Sequence, residues 1–206
     1  FAQRVRMATA VAVVLLAGPG LVSPALAGTV FVSTSGNDEN DGLTWATAKQ
    51  TVQAGLNAAV GGDEVWVAAG TYVENITLRD AVALYGGFAG NETELPQRNW
   101  ATNKTILDGN QADHVVTSPQ GATATTRIDG FTIRDGSAGI YCYSSSPTIA
   151  NNTITGNSYS GIYCDHSSSP AITNNTIAGN SSSGIHCRYS FSPVITNNAI
   201  TGNTAS

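Results

Sequence analysis

GIYCYSSSPTIANNTITGNSYS at residues 139–160 is followed by GIYCDHSSSPAITNNTIAGNSSS at 161–183 and GIHCRYSFSPVITNNAITGNTAS at 184–206, three copies of one unit. The period is 22 and then 23 residues counted on the opening glycines; Pro147, Pro170 and Pro193 recur every 23, and so do the pairs Asn151-Asn152, Asn174-Asn175 and Asn197-Asn198. A fixed period of this length marks a repeat architecture in which each unit stacks on the last. Within the first copy, Gly139-Ile140-Tyr141-Cys142-Tyr143 alternates, setting Ile140 and Cys142 on one face and both tyrosines on the other. Serines and Pro147 then turn the chain, Ile149 opens a second short strand, Asn151-Asn152 bends it, and Ile154 precedes the turn Gly156-Asn157. No stretch of the unit is long enough for a helix.

Short strands, tight polar corners and constant register predict an all-β chain wound as a right-handed parallel β-helix, a solenoid whose successive turns lie roughly 4.8 Å apart. Like then stacks on like. Ile149, Ile172 and Ile195 form one inward column, Ile154, Ile177 and Ile200 a second, and Ile140, Ile162 and Ile185 a third. Upstream, Ile128 and Ile133 precede Ile149 and Ile154 by 21 residues, and steps of 22 lead back to Ile106 and Leu84. Counted from Leu84, this predicts six rungs, with residues 89–104 thrown out as a loop at one corner. A leucine-rich repeat has a similar period but needs leucines at fixed offsets. No leucine follows Leu107.

The first residues differ. Arg4 and Arg6 precede an apolar run, and small residues at Ala25 and Ala27 suit a signal peptidase, so residues 1–27 are expected to be an export signal. The run is too short, and too interrupted by Gly18, Pro19, Gly20 and Pro24, to span a hydrocarbon core of about 30 Å. No transmembrane segment is therefore expected after signal removal. Residues 28–62 are expected to cap the coil: a strand from Thr29, a polar loop, and a short helix capped by Thr51 with Val52, Leu56 and Ala59 on its inner side. Residues 63–206 form the rungs. Phe1 is not an initiator and Ser206 falls where another rung is due, so the coil is expected to be C-terminally incomplete.

With these elements placed, the chain resembles the pectin-lyase-like superfamily of right-handed parallel β-helices, in particular bacterial exported or surface proteins. The likeness is carried by Gly36-Asn37-Asp38, Trp45-Ala46-Thr47, Thr51-Val52-Gln53-Ala54 and Gly70-Thr71-Tyr72-Val73-Glu74, then by Tyr85-Gly86-Gly87-Phe88, Ile106-Leu107-Asp108-Gly109 and Asp129-Gly130-Phe131-Thr132-Ile133. It covers nearly all of the chain after residue 27. Such a resemblance implies the fold; because the superfamily spans pectate lyases, polygalacturonases and members without demonstrated activity, it leaves the chemistry open.

Chemistry must come from the columns. Asn152, Asn175 and Asn198 share one corner, and stacked amides can donate from rung to rung. Amides transfer no protons at neutral pH, so this ladder is structural. Cys142, Cys164 and Cys187 stack inward, and directly stacked side chains run parallel instead of converging on a disulfide. They are read as buried thiols behaving as small hydrophobes, with no histidine or carboxylate beside them to complete a metal site. Outside, Tyr141, Tyr163 and His186 form one column and Tyr143, Asp165 and Arg188 another. Flat rings on a rigid face can stack sugars, while aromatic residues also suit strands for packing alone.

Glycosidases use two carboxylates roughly 5–9.5 Å apart, and lyases of this superfamily use carboxylate-held calcium. After His114 the chain offers only Asp129, Asp135 and Asp165, so no catalytic residue is predicted. Asp38-Glu39-Asn40-Asp41-Gly42 has oxygen ligands that suit calcium without EF-hand spacing; an ordinary turn, and no cofactor, is expected. Charged residues are 11% of the chain and the net charge is −5, which excludes a nucleic-acid partner held by its phosphates. The expected function is an exported, non-catalytic scaffold of the cell surface or extracellular space that contacts polysaccharide or surface glycans. The alternative is a polysaccharide lyase or glycoside hydrolase whose catalytic rungs lie largely beyond Ser206.

Overall fold

The computed structural model describes residues 27–189 and 192–205. The expected export signal falls, apart from Ala27, outside the described residues. Thr29–Val32 forms β1, and a polar loop with a single 3-10 turn at Trp45–Thr47 leads to α1, Val52–Ala58. The Thr51 hydroxyl caps this helix by accepting the Ala54 N–H at 3.2 Å. Val52, Leu56 and Ala59 point into the core, each at most 1% exposed.

Six turns follow. The first carries β2 (Glu64–Ala68), β3 (Gly70–Val73) and β4 (Ile76–Thr77). The second carries β5 (Ala83–Phe88), β6 (Thr105–Asp108) and β7 (Val116–Ser118). The third carries β8 (Arg127–Asp129), β9 (Phe131–Arg134) and β10 (Ile140–Tyr143). The fourth and fifth repeat it with β11 (Thr148–Ala150), β12 (Thr153–Thr155), β13 (Ile162–Asp165), β14 (Ala171–Thr173), β15 (Thr176–Ala178) and β16 (Ile185–Arg188). β17 (Val194–Thr196) and β18 (Ala199–Thr201) begin the sixth. Corresponding strands stack in parallel into three sheets, β1-β2-β5-β8-β11-β14-β17, β3-β6-β9-β12-β15-β18 and β4-β7-β10-β13-β16. The chain is a parallel β-helix.

The isoleucine columns line its interior. Ile149 lies over Ile128 and under Ile172, which lies under Ile195. Ile133, Ile154, Ile177 and Ile200 form a second column, and Ile140, Ile162 and Ile185 a third. Eight of these eleven side chains have no exposed surface, and burying each contributes roughly 1.5–3 kcal/mol.

Upstream the register differs from the expectation. Leu84 pairs directly with Ile128, and Ile106 belongs to another sheet, where it faces outward between Thr71 and Thr132 while Leu107 fills the core between Tyr72 and Ile133. The steps of 22 through Ile106 are coincidental because the second turn is about twice as long as the others. Six turns are nonetheless present; the first is built on Val65, below Leu84.

Each repeated corner uses two residues. Asn151, Asn174 and Asn197 adopt φ of 57, 57 and 56°, the left-handed bend that asparagine tolerates. The next residue supplies the ladder: Asn152 Nδ2 donates to Asn175 Oδ1 at 3.1 Å and Asn175 Nδ2 to Asn198 Oδ1 at 3.0 Å. Gly156, Gly179 and Gly202 make the same bend at the following corner. A second ladder stands there, with Asn157 Nδ2 donating to Asn180 Oδ1 and Asn180 Nδ2 to Asn203 Oδ1, both at 2.9 Å.

The loop 89–104 is pinned to the coil. Fully buried Asp129 takes Arg98 Nη2 at 2.6 Å, Arg127 Nε at 3.0 Å and Asn151 Nδ2 at 3.0 Å. The Arg98 guanidinium lies 4.7 Å from the rings of both Tyr85 and Trp100.

Candidate functional site

The sheet formed by β7, β10, β13 and β16 brings the outward candidates together, because a register without slips places Tyr141 beside Tyr163 and Tyr163 beside His186. Ring centroids are 5.4 and 5.1 Å apart along this column, and His114 extends it downward at 4.5 Å from Tyr141. The adjacent column holds Tyr143, Asp165 and Arg188. Corner residues fold back over both. His166 packs 4.8 Å from Tyr143 and 5.5 Å from Tyr189, while Tyr159 meets Tyr163 edge-on at 5.7 Å. The face therefore gathers all three histidines of the chain and five of its seven tyrosines. Aromatic pairs at 4.5–7 Å attract one another by about 0.5–1.5 kcal/mol each, which pre-organises the rings.

The polar tips are arranged by their neighbours. Tyr159 Oη and His186 Nδ1 share a hydrogen bond of 3.0 Å. His114 Nδ1 accepts the Ala138 N–H at 3.3 Å, so in the neutral ring the proton is on Nε2. Asp165 is only 7% exposed despite its outward position, because Tyr163 and His166 pack around it. Its Oδ1 takes the His166 N–H and approaches His166 Nδ1, both at 2.9 Å. Burial among the rings lifts the Tyr141 phenol above its ordinary value, and the Asp165 charge adds to the effect. Arg188 lies with its guanidinium 4.9 Å from the Tyr189 ring. Tyr143, Tyr159 and Tyr189 remain open to a ligand, at 38, 37 and 68% exposure.

This surface can stack flat rings and offer phenol, imidazole and guanidinium contacts. Sequence periodicity found Tyr141, Tyr143, Tyr163, Asp165, His186 and Arg188. It missed His114, His166, Tyr159 and Tyr189, which come from corners; the signal was their clustering within a few residues of the column positions. The other carboxylates after His114 are held elsewhere. Asp129 is engaged by its arginines, and Asp135 lies 3.3 Å from Arg134.

Two further features are structural. Asp38 Oδ1 accepts the N–H groups of Gln50 and Thr51 at 2.8 and 2.9 Å, closing the polar loop over the helix N-terminus. A cavity of about 250 Å³ beside it is lined by Thr34, Gln50, Thr51, Thr71, Tyr72 and Glu74. Both Glu74 oxygens there hold helix amides, those of Val52 and Gln53 at 2.8 and 3.1 Å.

Cys142, Cys164 and Cys187 are stacked in register on the inner side, and none is in a disulfide. The first two are fully buried; Cys187 is exposed, departing from the expectation of three buried thiols. Among the described residues, no group of three or more His, Cys, Asp or Glu side chains converges as a metal-binding set. No helix among them is long and apolar enough to cross a membrane.

Residues 56–206 match the family described as "Periplasmic copper-binding protein (NosD)". No curated protein and no solved structure matches the chain.

Proposed function

Because the chain belongs to the NosD family, a right-handed β-helix family of the pectin-lyase-like superfamily, we propose that it is an exported, non-catalytic scaffold holding a saccharide ligand on its tyrosine and histidine face. The observation that carries this reading is the continuous ring column from His114 through Tyr141 and Tyr163 to His186. Sugars present apolar ring faces edged by hydroxyls, and this surface offers rings edged by Asp165, Arg188 and imidazoles. The absence of an acidic pair on that face among the described residues favours holding over turnover. Calorimetry against a polysaccharide and glycan panel tests it. Binding is expected to weaken at least about tenfold in Tyr163→Ala, the loss of roughly 1.4 kcal/mol that one well-packed ring can supply. Failure to bind any glycan, or the appearance of new reducing ends or unsaturated products, would overturn it.

A second reading, that the chain holds copper, is favoured by the family's description. Three thiols and three imidazoles supply suitable donor chemistry. Anaerobic Cu(I) titration against a chromophoric chelator tests this reading, and no uptake would refute it.

A further inference from the structure

We propose that the tyrosine and histidine face is also a one-electron relay, with the Tyr159–His186 pair as the place where an outer-sphere oxidant finally draws its electron. This role is independent of glycan or metal binding. The rings are connected. From Tyr189 they run to His166 at 5.5 Å, to Tyr143 at 4.8 Å, to Tyr141 at 6.4 Å, to Tyr163 at 5.4 Å and to Tyr159 at 5.7 Å. Every step falls within the roughly 4.5–7 Å of aromatic rings in contact, so an electron vacancy created on an exposed ring can pass along the face.

The proton decides where the vacancy settles. A phenol that has lost an electron is a strong acid, and its neutral radical forms only as the O–H proton leaves. The tyrosine with a base already in place therefore yields its electron most readily. A base takes such a proton across about 2.6–3.2 Å. Tyr159 Oη and His186 Nδ1 are 3.0 Å apart, and Nδ1 accepts the phenol proton when the imidazole carries its own on Nε2.

The other tyrosines are less well placed. Tyr163 meets the Asp165 carboxylate only at 3.4 Å, outside that reach. Arg188 hydrogen-bonds Tyr189 and Tyr163 and lies 4.9 Å from the Tyr189 ring, so a fixed positive charge opposes electron loss from both. Burial among the rings holds the Tyr141 proton in place. Away from this face, Tyr72 is buried and donates to the Ala68 carbonyl, which is no base, and Tyr85 lies 4.7 and 5.9 Å from the guanidinium groups of Arg98 and Arg127.

The step balances between the pair and the oxidant, a metal(III) polypyridyl complex. The Tyr159 O–H bond breaks and its proton bonds to His186 Nδ1. One electron reduces the metal(III) complex to metal(II), and a neutral phenoxyl radical remains beside an imidazolium. Exposure alone points to a different target: Tyr189 is 68% exposed against 37% for Tyr159, so without a relay Tyr189 is oxidised first.

The probe is tris(bipyridine)ruthenium(III), generated by a light flash from the ruthenium(II) complex with a pentaamminechlorocobalt(III) acceptor, acting on the intact chain. Freeze-quenched samples should show a tyrosyl radical by electron paramagnetic resonance, and peptide mapping should place most of the oxidised side chains at Tyr159. His186→Phe keeps a ring in the column but offers no acceptor. Oxidation of Tyr159 should then slow at least about tenfold, a conservative share of the roughly 10²–10⁴ that a positioned base contributes. Tyr159→Phe should spread the products over the other tyrosines. In the unaltered chain the radical should form more slowly in D2O than in H2O, because a proton moves with the electron; this comparison stands even if a variant fails to fold. Oxidation in order of exposure, with Tyr189 first, would overturn the relay, as would predominant loss of Cys187 or a tryptophan, an unchanged Tyr159 rate in His186→Phe, or equal rates in the two solvents.

Discussion

Replacing Asn175 with alanine removes an amide that makes five polar contacts. Its Oδ1 accepts the Asn152 N–H at 2.9 Å and Asn152 Nδ2 at 3.1 Å. Its Nδ2 has three acceptors at 3.0 Å, Ile149 O, Thr173 O and Asn198 Oδ1, between which its two protons are shared. In the variant, Asn152 Nδ2 keeps Ile128 O at 3.2 Å, but the Asn152 backbone N–H is stranded in a residue only 2% exposed. An orphaned buried donor costs about 1–3 kcal/mol, and the hydrogen bonds that vanish with the amide add about 1 kcal/mol more. The expected loss is about 3 kcal/mol, or roughly 6–12 °C in Tm for a chain of this size. Thr176→Ala, on the exposed side of the next residue, should change stability by less than about 0.5 kcal/mol. Urea unfolding followed by circular dichroism and by tryptophan emission measures both, and coincident curves establish a single transition. A loss below about 1 kcal/mol, or one equal to that of Thr176→Ala, would refute the view that the ladder stabilises its corner.

Truncating Ile172, which has no exposed surface, should cost about 2–5 kcal/mol by the same assay, whereas Val73→Ala, at 62% exposure, should lie within about 0.5 kcal/mol of wild type. Asp129→Ala leaves the Arg98 side chain, 8% exposed, without its carboxylate; a destabilisation of about 3–5 kcal/mol and faster proteolysis within residues 89–104 are expected, and unchanged protection would contradict the pinning. Burial raises the Glu92 carboxyl, but the amides of Ala89, Asn91 and Gly90 outweigh it and hold the group below its usual 4.5. Its folded value is thus depressed, so its stabilisation is present above the unfolded value and lost as pH falls through the folded one. Wild type should lose stability more steeply than Glu92→Gln between about pH 5 and pH 3, and equal slopes would argue against the assignment.

The three closely matching repeats made the fold legible, because a period of 22–23 with isoleucine at fixed positions leaves few ways to bury them except stacking. The same counting failed at Ile106, where alternation in Thr105–Asp108 leaves either Ile106 or Leu107 free to face inward and a loop had reset the count. The second amide ladder was present in the sequence as Gly156-Asn157, Gly179-Asn180 and Gly202-Asn203, but a glycine-asparagine pair reads first as a turn and hides the donor beside it. For the candidate site, strand positions were readable and corner side chains were not. Period fixes where a strand residue points, while His166 and Tyr159 reach the face through local backbone that no alternation rule describes. The burial of Asp165 followed from those neighbours and was invisible for the same reason.

The second turn spends 44 residues between Leu84 and Ile128, against 21 from Ile128 to Ile149, yet both pairs meet in register. Inserted length is therefore expelled at a corner instead of being carried into the stack. Doubling a loop costs only about 0.6 kcal/mol in closure entropy, so segments of very different size can leave and rejoin the same coil. Residues 89–104 mark a natural grafting position: a foreign peptide spliced there would be displayed from a rigid rod, provided Arg98 still reaches Asp129.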